Sequence, residues 1–141
     1  AWWPGKVKAG AETSHVASFA DWLGTAADLA ETKAPANVDS ISFAPTLLGQ
    51  EGQAKHEFLY WEFHENGFKQ AALYQGRWKG IRQGRPDAPV ALYDQENDVA
   101  EEKNVAKEHP EIVEKIGAYL KTARTDLADW EPRWQSAKKK K

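Results

Sequence analysis

Five polar side chains that could form a binding site are concentrated in one stretch, residues 56–82 (HEFLYWEFHENGFKQAALYQGRWKGIR). They are Glu62, His64, Lys69, Gln70 and Arg82. Lys69 and Arg82 carry positive charge and would attract an anionic ligand, while Tyr60 or Trp78 would supply an apolar platform beside it. The alternative is a solvated sheet face, on which one or two surface ion pairs contribute about 0–1 kcal/mol each.

Other catalytic arrangements are not recognisable in the sequence. There is no cysteine, which excludes a cysteine nucleophile, a thiolate metal site and a disulfide. The four histidines are scattered, and there is no HExxH spacing, nucleophile elbow or phosphate-binding glycine loop. The acidic series at residues 94–102 lacks the glycine and the terminal glutamate of an EF-hand loop. This series therefore favours a solvated acidic loop over a calcium site.

The size and charge of the chain limit its classes of partner. Its 141 residues can bury a hydrophobic core without disulfides. A net charge of -2 gives no reason to expect nucleic acid or an anionic membrane surface as a partner. No apolar run approaches the roughly 20 residues of a transmembrane helix. We therefore expect neither a nucleic-acid nor a membrane partner.

The candidate site residues must be positioned by a β-meander. Asn66-Gly67 and Gln75-Gly76 lie between runs rich in aromatic and aliphatic residues and predict two hairpins with two-residue turns. These turns would place His64 opposite Lys69, and Lys69 opposite Arg82. One sheet face would then carry Trp61 and Phe63 toward a core, together with Gln70. The other face would carry the remaining four candidate residues.

Helices are predicted on both sides of this meander. Residues 14–32, capped by Ser14 or Thr13, show an apolar face at helical spacing (Val16, Phe19, Ala20, Leu23, Ala27 and Ala30). Residues 33–56 are predicted to be loop with short helical turns, and residues 90–93 a short strand. A last helix begins at Pro110 and should cover the Trp61/Phe63 face. The tryptophans Trp2 and Trp3 are expected to end a buried strand and to pack on a missing domain.

Four segments, in this order and spacing, resemble the C-terminal third of a type I sulfatase of the bacterial arylsulfatase A-like group. They are WPGKVKAG, SHVASFADWLGTAADLAETKAPANVDSISFAPTLLG, LYWEFHENGFKQAALYQGRWKGIR and LYDQENDVAEEKNVAKEHPEIVEKI. The resemblance extends to about residue 124. It implies an alkaline-phosphatase-like protein, of which residues 1–54 would end the large α/β domain and residues 55–124 would form the C-terminal subdomain. The fold class expected is α+β, a small antiparallel four-stranded sheet packed against a C-terminal helix, with residues 125–141 as a tail.

The resemblance also implies chemistry that this chain does not contain. Such sulfatases hydrolyse sulfate esters with a formylglycine made from a Cys/Ser-x-Pro-x-Arg motif and with a bound Ca²⁺. None of the serines here is followed by x-Pro-x-Arg. We therefore expect no cofactor in this chain, an upstream sulfatase domain as its partner, and a parent enzyme that is exported.

Three functions are compatible with these observations. The chain could be the C-terminal fragment of a sulfuric ester hydrolase, lending contacts to a sulfated carbohydrate or an aryl sulfate. It could also be a stand-alone module that binds carbohydrates or anions. The third possibility is a purely structural module that self-associates. A chain that begins Ala-Trp-Trp-Pro-Gly, without methionine, is expected to be a processed product or a piece of a longer protein.

Overall fold

The computed structural model describes residues 1–65 and 67–125 and divides the chain into two compact units. The first unit is Ala1–His56, and the second begins at Glu57. Helices and a four-stranded antiparallel sheet confirm the predicted α+β class. No described helix has the length and apolar character needed to cross a bilayer. The predicted tail at 125–141, with Trp130 and Trp134, lies almost wholly outside the described residues.

The first unit contains two short helices, α1 at Asp21–Leu29 and α2 at Ala44–Leu48. The predicted start of α1 at residue 14 is wrong by seven residues. The helix begins at Asp21 because local hydrogen bonds at Ser18 compete with helical backbone bonds. The N–H of Ser18 donates to Asp21 Oδ2 (2.6 Å), and the Oγ of Ser18 accepts from the N–H of Ala20 (3.2 Å). Most of the predicted apolar face is wrong as well, since Phe19 is 91% exposed and Leu23 is exposed, although Ala27 is buried as predicted.

The buried side of α1 is instead polar and small, and it is organised by Asp21. This carboxylate is fully buried, accepts the Ile41 N–H at Oδ1 (2.9 Å) and lies 2.8 Å from His56 Nε2. Burial opposes its ionisation, but these bonds and the one from Ser18 together lower the pKa of Asp21. Gly24 permits the close approach of the Ser40 loop, because a Cβ there would lie 2.5 Å from Ser40 Oγ.

At the N-terminus, the tryptophans do not end a strand. The carbonyl of Trp3 accepts the N–H groups of Lys6 (3.0 Å) and Val7 (2.9 Å), which closes a turn, and Trp2 is 88% exposed. Pro4 and Gly5 explain this turn, since proline fixes φ and Gly5 has φ of 78°.

Over its described residues, the second unit is a meander of four antiparallel strands in sequence order, followed by one helix. The elements are β1 (Phe58–Phe63), β2 (Phe68–Tyr74), β3 (Trp78–Gly84), β4 (Ala91–Asp94) and α3 (Pro110–Tyr119). The meander, the short fourth strand and the helix beginning at Pro110 are confirmed.

The register of both hairpins differs from the prediction by one residue. Phe63, not His64, lies opposite Lys69, and Tyr74 lies opposite Trp78. Three residues therefore separate β2 from β3, where two were predicted. Side chains alternate between the two sheet faces. A register shift of one residue therefore gives each face of β2 the neighbours from β1 and β3 that were predicted for its other face.

This shift decides which residues of β1 and β3 share the face that the last helix covers. Ile116 of α3 packs over Gly80, with Ala72, Tyr74, Leu92 and Leu120 in the same core. The prediction that α3 covers Trp61 and Phe63 is therefore wrong: both point to the other face and are 47% and 51% exposed. The aromatic residues over the core are instead Tyr74 and the stacked pair Phe58 and Tyr119, whose ring centroids are 4.1 Å apart.

The contact between Gly80 and Ile116 leads to a stability prediction. In Gly80→Ala the new Cβ would lie 2.6 Å from Ile116 Cγ2 and 3.1 Å from Val90 Cγ1. Such overpacking should lower the free energy of unfolding by about 1–3 kcal/mol in urea melts. The matched control is Gly117→Ala, whose Cβ would meet only Arg82 Nη2 at 3.9 Å. Since Gly117 is inside α3, this control should gain about 0.5–1 kcal/mol, and equal melts for the two variants would contradict the packing described here.

A second prediction concerns Asp21. Asp21→Asn replaces one of the two acceptor oxygens by a donor, so the N–H of Ser18 or Ile41 loses its partner. The first unit should lose about 1–3 kcal/mol of stability, measured as faster amide hydrogen exchange across α1. Asp28→Asn on the exposed side of the same helix is the control and should leave exchange unchanged. Equal protection in the two variants would show that the Asp21 bonds do not hold this unit together.

Candidate functional site

The structure brings together four of the five predicted site residues, beneath or beside α3. Glu62, Gln70 and Arg82 form one cross-strand row on the helix-covered face. His64 joins this row through Glu62, since its Nε2 lies 3.1 Å from Glu62 Oε2. Lys69 lies on the opposite face and is exposed, as period-two alternation from Gln70 requires.

Gln70 connects the hairpin to the end of α3. Its Nε2 group, which carries two hydrogens, has three acceptors within hydrogen-bond distance and shares its hydrogens among them: Tyr60 Oη (2.9 Å), Glu62 Oε1 (3.1 Å) and the backbone carbonyl of Leu120 (3.3 Å). The amide is buried, so these bonds form in a low-dielectric environment where an unmade bond would be costly. Gln70 therefore joins β1, β2 and the C-terminal end of the helix. We name Tyr60, Glu62, His64, Gln70 and Arg124 the Glu62 network.

The network keeps Glu62 ionised. Burial opposes its charge, but bonds with Tyr60, His64 and Gln70 and the nearby Arg124 guanidinium, 3.7 Å away, together lower the pKa of Glu62. Burial, followed by the adjacent Glu62 carboxylate, raises the pKa of Tyr60. The network therefore holds a half-buried carboxylate ionised next to a neutral phenol.

Arg82 forms its hydrogen bond outside the Glu62 network. Its Nε donates to the carbonyl of Ala88 (3.0 Å), which ties the loop between β3 and β4 to the sheet. The side chain is buried, and in the described residues it has no ion-pair partner. Its register beside Gln70 was not predicted, because the assumed turns placed it opposite Lys69.

The acidic loop at 94–102 is ordered by ion pairs and backbone bonds. Asp94 forms a bidentate pair with Arg77 (2.9 and 2.7 Å), and Asp98 accepts the N–H groups of Glu102 and Lys103. Lys79 pairs with Glu101. Within residues 1–65 and 67–125, no three acidic or histidine side chains are grouped as metal ligands.

Sequence reasoning missed one member of the network, Arg124, and one residue that bonds to it, Leu120. Leu120 takes part through its backbone carbonyl, and Arg124 follows the helix at the edge of the predicted tail. Neither carries a sequence signal, because a carbonyl acceptor has no residue preference and an isolated arginine suggests only a solvated side chain.

A four-stranded antiparallel meander with a helix packed across it is the fold that the resemblance to a sulfatase C-terminal subdomain implies. A family model described as N-sulphoglucosamine sulphohydrolase, C-terminal, matches residues 1–127. The chain belongs to this family, which confirms the resemblance drawn from the four segments.

Similar proteins support this assignment. The N-acetylgalactosamine-6-O-sulfatase of Bacteroides thetaiotaomicron is 29% identical over 142 residues, covering 87% of this chain and 26% of the relative. A crystal structure of a candidate sulfatase from the same species is 27% identical with a TM-score of 0.61, over 80% of this chain and 27% of that one. A 2-O GAG sulfatase is 28% identical with a TM-score of 0.57, with the same coverage. The chain thus spans about a quarter of these proteins.

The lowered pKa of Glu62 predicts an acid-sensitive contribution to stability. A carboxyl group with a depressed folded-state pKa stabilises the fold above its unfolded value of 4.5, and this contribution disappears as the pH falls below it. Glu62→Gln should therefore unfold at lower urea concentration at pH 7 and lose less stability than the parent chain between pH 6 and pH 3. Glu57→Gln is the control at an exposed glutamate. Parallel pH profiles for the parent chain and Glu62→Gln would contradict this role of the network.

Proposed function

We propose that this C-terminal sulfatase portion belongs to an enzyme that releases sulfate from a sulfated carbohydrate. The observation that carries the proposal is the family match over residues 1–127. Two relatives above 25% identity support the substrate class, one named an N-acetylgalactosamine-6-O-sulfatase and the other a 2-O GAG sulfatase. Aryl sulfates are the alternative substrates.

Within such an enzyme, this chain would support the reaction without performing it. The Glu62 network joins the β1–β2 hairpin to the end of α3 through bonds of 2.9–3.3 Å. A hairpin held in this way can present its rim to a substrate at a defined position. We propose Glu62, His64, Lys69, Gln70 and Arg82 as the residues that contact substrate or position those contacts, with His64 and Lys69 nearest the ligand.

The residues of this chain do not fit the cofactors that the family implies. Formylglycine requires a Cys or Ser in a Cys/Ser-x-Pro-x-Arg motif, and no such motif occurs in the sequence. A calcium ion prefers several convergent oxygen ligands, whereas the acidic side chains Asp94, Asp98 and Glu101 are engaged by Arg77, backbone N–H groups and Lys79. No chemical step is therefore assigned to this chain. We propose an upstream sulfatase domain as its partner, with export and self-association as further predictions.

The proposal is tested by assaying sulfate release. The complete reading frame that encodes residues 1–141 should release sulfate from N-acetylgalactosamine 6-sulfate or another sulfated sugar, measured by ion chromatography. The 141-residue chain alone should release none. Turnover by the isolated chain would reject the proposal that this chain supports the reaction without performing it. Absence of turnover by the complete product across sulfated sugars and aryl sulfates would reject the proposed function.

A further inference from the structure

The face of the sheet opposite α3 exposes two aromatic side chains next to a lysine. Phe63, Lys69 and Gln83 form one cross-strand row, and all three side chains are exposed. Trp61 lies two residues from Phe63 on the same strand and the same face, so the two rings are neighbours. These four side chains belong to β1, β2 and β3 and form what we name the Lys69 patch.

The floor of the patch is low because a small residue lies between two larger ones. Trp61, Ala71 and Ile81 form the row next to Lys69, and the methyl group of Ala71 separates the indole from the Ile81 side chain. Adjacent strands are about 4.8 Å apart, so the backbones of Trp61 and Ile81 are roughly 10 Å apart with only the Ala71 methyl group between their side chains, an arrangement we call the trough. The trough is open at the Lys69 end, where Lys69 and Gln83 are exposed.

The charge of Lys69 is available to a ligand. In the part of the chain that the structure describes, Lys69 has no ion-pair partner, whereas Lys79 on the same face pairs with Glu101. An ammonium group on a flexible stem binds a sulfate oxygen as a point charge. Gln83 adds an amide that can donate to a hydroxyl group or accept from one.

From these observations we infer that the Lys69 patch binds a sulfated sugar. The C–H face of the sugar ring lies against the indole of Trp61, whose ring face carries partial negative charge. The sulfate group pairs with Lys69, and a ring hydroxyl bonds to Gln83. The choice of a sulfated ligand rests on the proposed function, whereas the site itself rests on the geometry of the sheet.

A sugar fits this patch better than a second protein surface does. The core of a protein–protein interface is depleted of charged residues and enriched in fully buried apolar ones. Here the row that ends the trough is polar at Lys69 and Gln83. Among the described residues of these three strands, large exposed apolar side chains are confined to Trp61 and Phe63. Aromatic side chains combined with a few placed polar groups are typical of small-molecule sites.

The inference is tested by titrating the ¹⁵N-labelled 141-residue chain with N-acetylgalactosamine 6-sulfate. Saturable shifts are expected at the Trp61 indole N–H and the backbone amides of Lys69, Ala71 and Gln83. Unsulfated N-acetylgalactosamine and inorganic sulfate should each bind at least about fivefold more weakly, because each lacks one of the two contacts. Equal binding of inorganic sulfate would indicate an anion site without sugar recognition and would overturn the inference.

Variants then assign the contacts. Lys69→Ala should raise Kd about fivefold and Trp61→Ala about tenfold, while Lys69→Arg keeps the charge and should stay within about twofold. Lys107→Ala, at an exposed lysine on the connection to α3, is the matched control. Unchanged spectra away from the patch verify that each variant is folded.

Shifts confined to His64 and Gln70, or an unchanged Kd in Lys69→Ala, would overturn the inference. The test is separable from that of the proposed function. Sulfate release by the complete product without binding at Trp61 would reject the patch alone. Binding at Trp61 without sulfate release by the complete product would reject the proposed function alone.

Discussion

The second unit depends on the contact of one isoleucine with one glycine. Ile116 is fully buried and lies where a Cβ on Gly80 would be, so α3 approaches the sheet backbone more closely than any larger residue would allow. This contact decides which face of the meander becomes the core. It thereby places Gln70 in the protein interior and Glu62 half-buried beside it, and leaves Trp61 exposed. The positions of the polar network and of the aromatic platform both follow from it.

Sequence reasoning identified the elements of this unit but not their register. Hydrophobic patterning and the turn residues located four strands and a helix beginning at Pro110, and the structure confirms them. Gln75-Gly76 also predicted a turn, and both residues have positive φ. The turn length was wrong, because a third residue, Arg77, belongs to the connection and pairs with Asp94. Pairing with a residue seventeen positions away cannot be inferred from local sequence.

The first unit shows a different limit of prediction. Apolar periodicity favoured a helix that buries Phe19 and Leu23, yet α1 buries Asp21 and Thr25. These polar groups are satisfied by partners distant in sequence: Asp21 accepts the N–H of Ile41, and Thr25 Oγ1 accepts the N–H of Phe43 (3.0 Å). Buried polar groups need such bonds. A hydrophobic pattern cannot supply them, so the predicted face was the wrong one. The assignment of this stretch as a binding site stays a prediction, and the division of its residues between two sheet faces required coordinates.

The alternation of faces along β1 limits how this hairpin can vary. Adding a single residue to β1 between Tyr60 and the connection at 64–67 would turn the remaining side chains of the strand over, moving Glu62 into water and an aromatic ring toward Gln70. Two added residues would restore the original orientation. Length changes in this strand should therefore be tolerated in steps of two, unless a bulge absorbs the odd residue. What matters between Tyr60 and the connection that leads to Lys69 is therefore whether the number of strand residues is even or odd, as well as how many there are.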